Sequence, residues 1–184
     1  MRALVIVDAW ASWQGHCAEE FLETLHDEVH SFGVYLNQVC KIERKKGTQI
    51  IHSYGARLHN KPMKQIEIMP EDWILNDPKN LKKKIEKDNP NITEIYFCGF
   101  HFGHCVHNHA LADIPYKSRE GMGEDINIIL NLSLLTPEYD GRWNFLIKRY
   151  STFNYHLWSQ NAIEGISINP TSVNSLIPHR GGPW

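Results

Sequence analysis

The sequence predicts a three-layer α/β fold built on a mostly parallel sheet, and three observations predict it. Short apolar runs rich in β-branched and aromatic residues (Arg2 to Val7, Thr48 to His52, Ile92 to Cys98) close on Asp8, His52 and Gly99, as strands buried on both faces of a parallel sheet do. Segments with apolar residues at helical spacing lie between these runs, and such alternation calls for a sheet covered by helices on both faces. The length of 184 residues suits one domain, 1–184, with a tail from about 170 onward.

Taken in order, MRALVIV is the first strand and not a secretion signal, because its apolar run stops at Asp8 and no small-residue cleavage site follows. Phe21, Leu22, Leu25, Val29 and Phe32 make one face of a helix over Ala18 to Phe32. Tyr35, Leu36, Val39 and Ile42 continue that layer to Arg44, and Lys45-Lys46-Gly47 forms a basic, glycine-ended stop. After the strand TQIIH, residues Ser53 to Lys64 read as a loop, and Gln65 to Met69 as a weak third strand. Asn76-Asp77-Pro78 starts a helix reaching Asp88, since Asn or Asp caps free amides and proline is preorganised for the first turn. Ile92 to Cys98 is the clearest internal strand, followed by a turn over Gly99 to Gly103 and a helix over Val106 to Ile114. Pro115 to Asp125 reads as an inserted loop and Ile126 to Leu135 as a fifth strand. Tyr139 to Ala162 is expected to include a helix with Phe145, Leu146 and Tyr150 on one side.

Composition excludes several function classes. With 42% hydrophobic and 22% charged residues and a net charge of -2, the chain lacks the field expected of a binder of nucleic acid or an acidic membrane. No apolar stretch approaches the roughly 18 to 20 residues of a membrane helix. A cytoplasmic protein with a small-molecule substrate or ligand is expected. The four cysteines, Cys17, Cys40, Cys98 and Cys105, form no CxxC pair, so reduced thiols are expected. Among eleven histidines, His101, His104, His107 and His109 crowd around Cys105.

Ligands of open parallel sheets sit beyond the carboxyl ends of the strands, where Asp8, His52 and the turn before Cys105 fall together. A thiol at a helix start is favoured as thiolate, the nucleophilic form. The amides of His104 and Cys105 are then placed to meet an oxyanion, and Asp8 is placed to take the thiol proton and return it to a leaving amine. Trp10, Trp13, Trp73, Phe100 and Phe102 suggest an aromatic pocket wall, with His52, His101, His104 and His109 as polar lining.

Gly99-Phe100-His101-Phe102-Gly103-His104-Cys105-Val106, followed by His109-Ala110, resembles the signature of the isochorismatase-like cysteine hydrolases, and Val5-Ile6-Val7-Asp8 resembles their first-strand motif. The order of elements agrees over roughly Arg2 to Ile168. The resemblance implies an isochorismatase-like hydrolase fold, Asp8 as general base, Cys105 as nucleophile, an oxyanion hole near His104 and Cys105, a cis peptide at Phe100-His101, and assembly into a homo-oligomer. It also implies a catalytic lysine at the end of the third strand. Near Ile68 to Pro70 the chain has none; Lys64 is the nearest candidate, and Arg57 offers a charge from the preceding loop. Phe102 and Gly103 stand where the signature has Thr and Asp, and His109 stands where it has Thr.

Three functions are compatible with these residues. The first is a cysteine hydrolase cleaving a small amide or related C–N bond through a Cys105 acyl intermediate. The second is a catalytically silent relative acting as a small-molecule binding or interaction module, in which Cys105 is a small buried hydrophobe and Lys64 a solvated side chain. The third, a zinc protein, draws on His101, His104 and Cys105 as ligand types, but their spacing favours no cofactor or metal.

Overall fold

The computed structural model describes residues 1–9, 19–54, 63–102, 105–112, 126–135 and 153–165, with the backbone alone at 19–28, 101 and 135. The described strands are β1 (Arg2–Val7), β2 (Gln49–Ser53), β3 (Trp73–Leu75), β4 (Glu94–Phe102), β5 (Asn127–Leu135), β6 (Asn154–Trp158) and β7 (Ile163–Gly165). They form one sheet in the order β3-β2-β1-β4-β5-β6-β7. All neighbours run parallel except β6 and β7, which are antiparallel. Among the described residues three helices cover the sheet: α1 (Glu19–Lys45), α2 (Leu81–Asp88) and α3 (Cys105–Leu111).

The alternation of β1 divides the core. Leu4 and Ile6 pack with Phe32, Leu36, Val39 and Cys40 of α1 on one face. Ala3, Val5 and Val7 pack with Leu81 and Ile85 of α2 and Val106 and Ala110 of α3 on the other. Each face buries apolar side chains, which is why the strands read as continuous apolar runs. α1 is one long helix, as its two apolar stretches predict, and Gly47 ends it at φ 80°, a conformation open to a residue without Cβ. Buried Glu43 fastens this end to the sheet, accepting hydrogen bonds from Trp158 Nε1 and Thr48 Oγ1, both at 2.8 Å, and from Lys46 Nζ at 3.0 Å. Burial pushes the Glu43 carboxyl up, but these three donors outweigh it and hold it below its ordinary value. Asp77 caps the 3-10 turn Pro78–Asn80 that opens α2, its carboxylate accepting from Lys79 N at 3.0 Å.

The sequence misplaces two elements. The third strand lies at Trp73–Leu75, paired with Ile51 to Ser53, and not at Gln65 to Met69. Met63 and Ile66 both bury against the α1 face, and Ile66 N bonds back to Met63 O at 3.1 Å, so that segment follows the spacing of a turn. The expected turn at Gly99 to Gly103 is strand as far as Phe102. Its irregularity is absorbed by register shifts against β5 at Phe97/Gly99 and Phe100/Phe102, because a glycine kink need not end a strand with a partner on each side. Within Tyr139 to Ala162 the chain forms β6, with Tyr155 and Trp158 buried; the expected helix with Phe145, Leu146 and Tyr150 lies outside the described residues, as do the Pro115 to Asp125 loop and the tail. Among the described residues no peptide bond is cis and no helix is long and apolar enough to cross a membrane.

Gly99 pairs with Val7 at the centre of the sheet with φ 117°, and a Cβ there would stand 2.4 Å from Val7 O and 2.7 Å from Val7 N. Backbone atoms of a buried strand have no room to yield. Gly99→Ala is therefore expected to destabilise the chain by about 3 kcal/mol or more, read as a lowered midpoint in chemical denaturation; a change below about 0.5 kcal/mol would show that the β1–β4 approach is not obligatory.

Candidate active site

β1 ends at Val7, between Ser53 of β2 and Gly99 of β4, and the next residue is Asp8. Its amide donates to Ser53 O at 2.9 Å, and its φ of 52° turns the chain off the strand. Asp and Asn tolerate this left-handed conformation better than other side chains, at a cost of order 1 kcal/mol. The carboxylate is thereby held at the carboxyl edge of the sheet with only 2% of the residue exposed.

α3 supplies the other half of the site. Cys105 is its first residue and is partly buried. His109, four residues on, lies on the same helical face, and its Nε2 is 3.7 Å from Asp8 Oδ1. His109 Nδ1 and Ser53 Oγ share a hydrogen bond of 2.9 Å. Burial pushes His109 down to about 4, against an upward pull from Asp77, so the ring is neutral near pH 7 and its contact with Asp8 is not an ion pair. Cys40 and Cys98 are fully buried, with burial pushing Cys40 up to about 12 and Cys98 well above the ordinary range. Cys105 alone among the described cysteines has solvent access.

The histidine cluster of the sequence separates in space. His107 turns inward between Phe102, at 4.7 Å, and Phe153, at 5.4 Å between ring centroids, and is a core residue. His104 and the side chain of His101 lie outside the described residues, as do Trp10, Trp13, Arg57 and His59. Phe100 packs edge-on against Phe32 of α1 at 5.1 Å, and Phe102 packs on the opposite face near Tyr155; both are wholly buried. They stiffen the two cores and do not form the expected pocket wall. Trp73 is on the sheet edge with Lys84 of α2 over its ring at 4.6 Å.

His52 also departs from the expected lining role. It is in register with Ile6 and shares the α1 face, where its Nε2 contacts Asp72 Oδ2 at 3.1 Å. Asp72 in turn accepts from Arg44 through both oxygens and from Met69 N. Burial pushes the Asp72 carboxyl up, yet the hydrogen bonds from His52, Arg44 and Met69 prevail and hold it at about 2. This network ties α1 to the β2–β3 edge.

Lys64 is exposed on the segment whose Met63 N donates to Ala9 O at 3.0 Å, so its backbone runs beside the Asp8 corner while its side chain stands in solvent. With β3 at Trp73–Leu75, the residues following the third strand are Asn76 and Asp77, and no lysine occupies that place. Ser53 and Asp77, as neighbours of His109, were not indicated by the sequence; the position of Ser53 next to His52 at a strand end was the one available signal.

A seven-strand, mostly parallel sheet with this order matches the structures of isochorismatase-family hydrolases across most of the chain. N-carbamoylsarcosine amidase from Thermoplasma acidophilum superposes with a TM-score of 0.55 at 16% identity, covering 89% of this chain and 99% of the other. The pyrazinamidase of Pyrococcus horikoshii, solved in complex with zinc, gives 0.55 at 15% identity over 85% and 99%. An isochorismatase family protein from Desulfovibrio vulgaris gives 0.55 at 11% identity over 95% and 97%. No protein-family model and no curated protein sequence matches the chain. The shared property is the fold. The end of β2 does not offer a zinc donor set: His52 is committed to Asp72, Ser53 to His109, and no group of three or more His, Cys, Asp or Glu among the described residues is arranged to hold a metal ion.

A histidine buried in the neutral form opposes folding in acid, because the unfolded chain binds a proton that the folded chain refuses. His109 has an ordinary value of 6.5 and about 4 in the fold, so stability is complete above pH 6.5 and declines as pH falls toward 4. His109→Gln removes this component, and the gap between wild-type and variant unfolding free energies is expected to change by up to about 3 kcal/mol across that window. Denaturant titrations at pH 7, 5.5 and 4.5 measure it; parallel curves would mean that His109 is not held neutral.

Proposed function

We propose that this chain is a cysteine hydrolase of the isochorismatase type that cleaves a small amide or related C–N bond, with Cys105 as nucleophile and Asp8 as general base. The observation that carries the reading is the 3.7 Å approach of Asp8 to His109, which brings the end of β1 against the helix that begins at Cys105. The amidase activity named for two of the structural neighbours supports a carbon–nitrogen bond as target.

In the proposed cycle Asp8 takes the Cys105 thiol proton and the sulfur attacks the substrate carbonyl carbon. The C–O double bond opens to an oxyanion, which in this scheme is met by the amide of Cys105, since the first amides of a helix have no partner within it. Collapse of this adduct breaks the C–N bond, and the nitrogen leaves with the proton returned by Asp8. A water then gives its proton to Asp8, attacks the thioester and breaks the C–S bond, and the acid departs as the thiol regains its proton. Near-complete burial of Asp8 suits this work, because it keeps bulk water away from the transferred proton.

The second reading, a catalytically silent relative that binds a small molecule, is favoured by Asn76 and Asp77 standing where the resemblance implies a lysine. The two separate in one experiment: the rate of Cys105 alkylation by iodoacetamide against pH, assigned by peptide mass spectrometry, in wild type and Asp8→Asn. The hydrolase reading expects Cys105 to react well below the free-cysteine pKa of about 8.5, and Asp8→Asn to slow it about tenfold at pH 7. In parallel, ammonia release from a panel of small primary amides and N-carbamoyl compounds is expected to vanish in Cys105→Ser. A thiol of ordinary reactivity, or one that Asp8→Asn leaves unchanged or speeds by removing a negative charge, overturns the hydrolase reading and leaves the binding module.

A further inference from the structure

We infer that His109 is the positioning residue of this site: Ser53 fixes its ring, and its Nε2 aims Asp8, so that an imidazole does the orienting. The inference rests on the hydrolase reading and adds a residue and a tautomer to it.

Three observations converge on the ring. Its Nδ1 is 2.9 Å from Ser53 Oγ, its Nε2 faces Asp8 Oδ1 at 3.7 Å, and it follows Cys105 by one helical turn in α3. Among the described residues, the groups that bear on it are Asp8 after β1, the Ser53 hydroxyl at the end of β2, the charge of Asp77 before α2, and Cys105 one turn back on its own helix. A neutral imidazole has one N–H and one lone pair. When the Ser53 hydroxyl donates to Nδ1, the proton sits on Nε2 and points at Asp8. The opposite tautomer would set a lone pair against a carboxylate, so Asp8 selects the first. The 3.7 Å separation is longer than a hydrogen bond, as contacts of this kind often are before substrate closes the site.

Chemistry gives the arrangement a purpose. A cation beside Asp8 would stabilise its ionised form and weaken it as a base. A neutral ring orients the carboxylate through one N–H while leaving it basic, and burial keeps His109 neutral near pH 7. No proton passes through His109 in this scheme. Its contribution is to hold Asp8, and through α3 Cys105, in one geometry.

The test measures Cys105 alkylation against pH in wild type, Asp8→Asn, His109→Ala, His109→Gln and Ser53→Ala, with the imidazole 15N shifts of His109 in wild type and Ser53→Ala. Expected are a slowing of about tenfold at pH 7 in His109→Ala, in the same direction as Asp8→Asn, and recovery to within about threefold of wild type in His109→Gln, whose amide N–H reaches a similar position. The 15N spectrum is expected to show the Nε2–H tautomer in wild type and a shift toward Nδ1–H in Ser53→Ala. If His109→Ala behaves as wild type while Asp8→Asn is slow, the positioning role is overturned and the hydrolase reading stands. If wild-type Cys105 is itself unreactive or indifferent to Asp8, the hydrolase reading fails first. Should His109→Ala not fold, the wild-type tautomer decides, and an Nδ1–H ring overturns the inference.

Discussion

The contact on which the site depends is the approach of β4 to β1 at Gly99 and Val7. A Cβ at Gly99 would fall 2.4 Å from Val7 O, so the two central strands lie closer at this level than any other residue allows. The following residue of β1 is Asp8, and the continuation of β4 leads through Phe102 toward α3. The kink at Gly99 and the left-handed turn at Asp8 occur side by side at the carboxyl edge, where open parallel sheets bind ligands. Of the two, only the Asp8 turn asks a residue with a side chain to hold a positive φ, and the hydrogen bond from its amide to Ser53 O helps to hold it there.

Buried polar groups sort by face, and the sort separates stability from chemistry. On the α1 face, Arg44, Asp72 and His52 make a closed set in which the carboxylate is matched by its donors. Removing one partner of such a set strands a buried charge, which costs far more than the pair is worth, so its role is to hold α1 to the sheet edge. On the other face, Asp8, Ser53 and His109 meet one helical turn from Cys105. The latter set joins a buried carboxylate to a helix that opens on a partly exposed thiol.

Local chemistry explains which side-chain roles were legible. Asp8 and Cys105 stand at breaks in pattern, a carboxylate ending an apolar strand and a thiol opening a helix, and both lie where those breaks place them. The aromatic residues around Cys105 carry no such mark. In a regular strand Phe100 and Phe102, two residues apart, would share a face; the register shift between them against β5 turns them to opposite faces, so both serve cores. Histidines two positions apart on a helix likewise diverge, which sends His107 inward and His109 to Asp8. The displacement of the third strand from Gln65–Met69 to Trp73–Leu75 has another cause: the first segment alternates polar and apolar residues while the second is a three-residue apolar run, and pairing with β2 chooses the second.

By itself the sequence determined the layered α/β class, the positions of β1, β2, β5 and the three helices, and the candidacy of Asp8 and Cys105, because periodicity, capping and strand ends are local properties of the chain. Tertiary structure alone decided which histidine reaches the site, that Ser53 and Asp77 surround it, and that His52 belongs to a structural network. Those outcomes depend on strand register and on the face each residue takes between two cores. They join residues as distant as Asp8 and His109, and no local pattern encodes such a meeting.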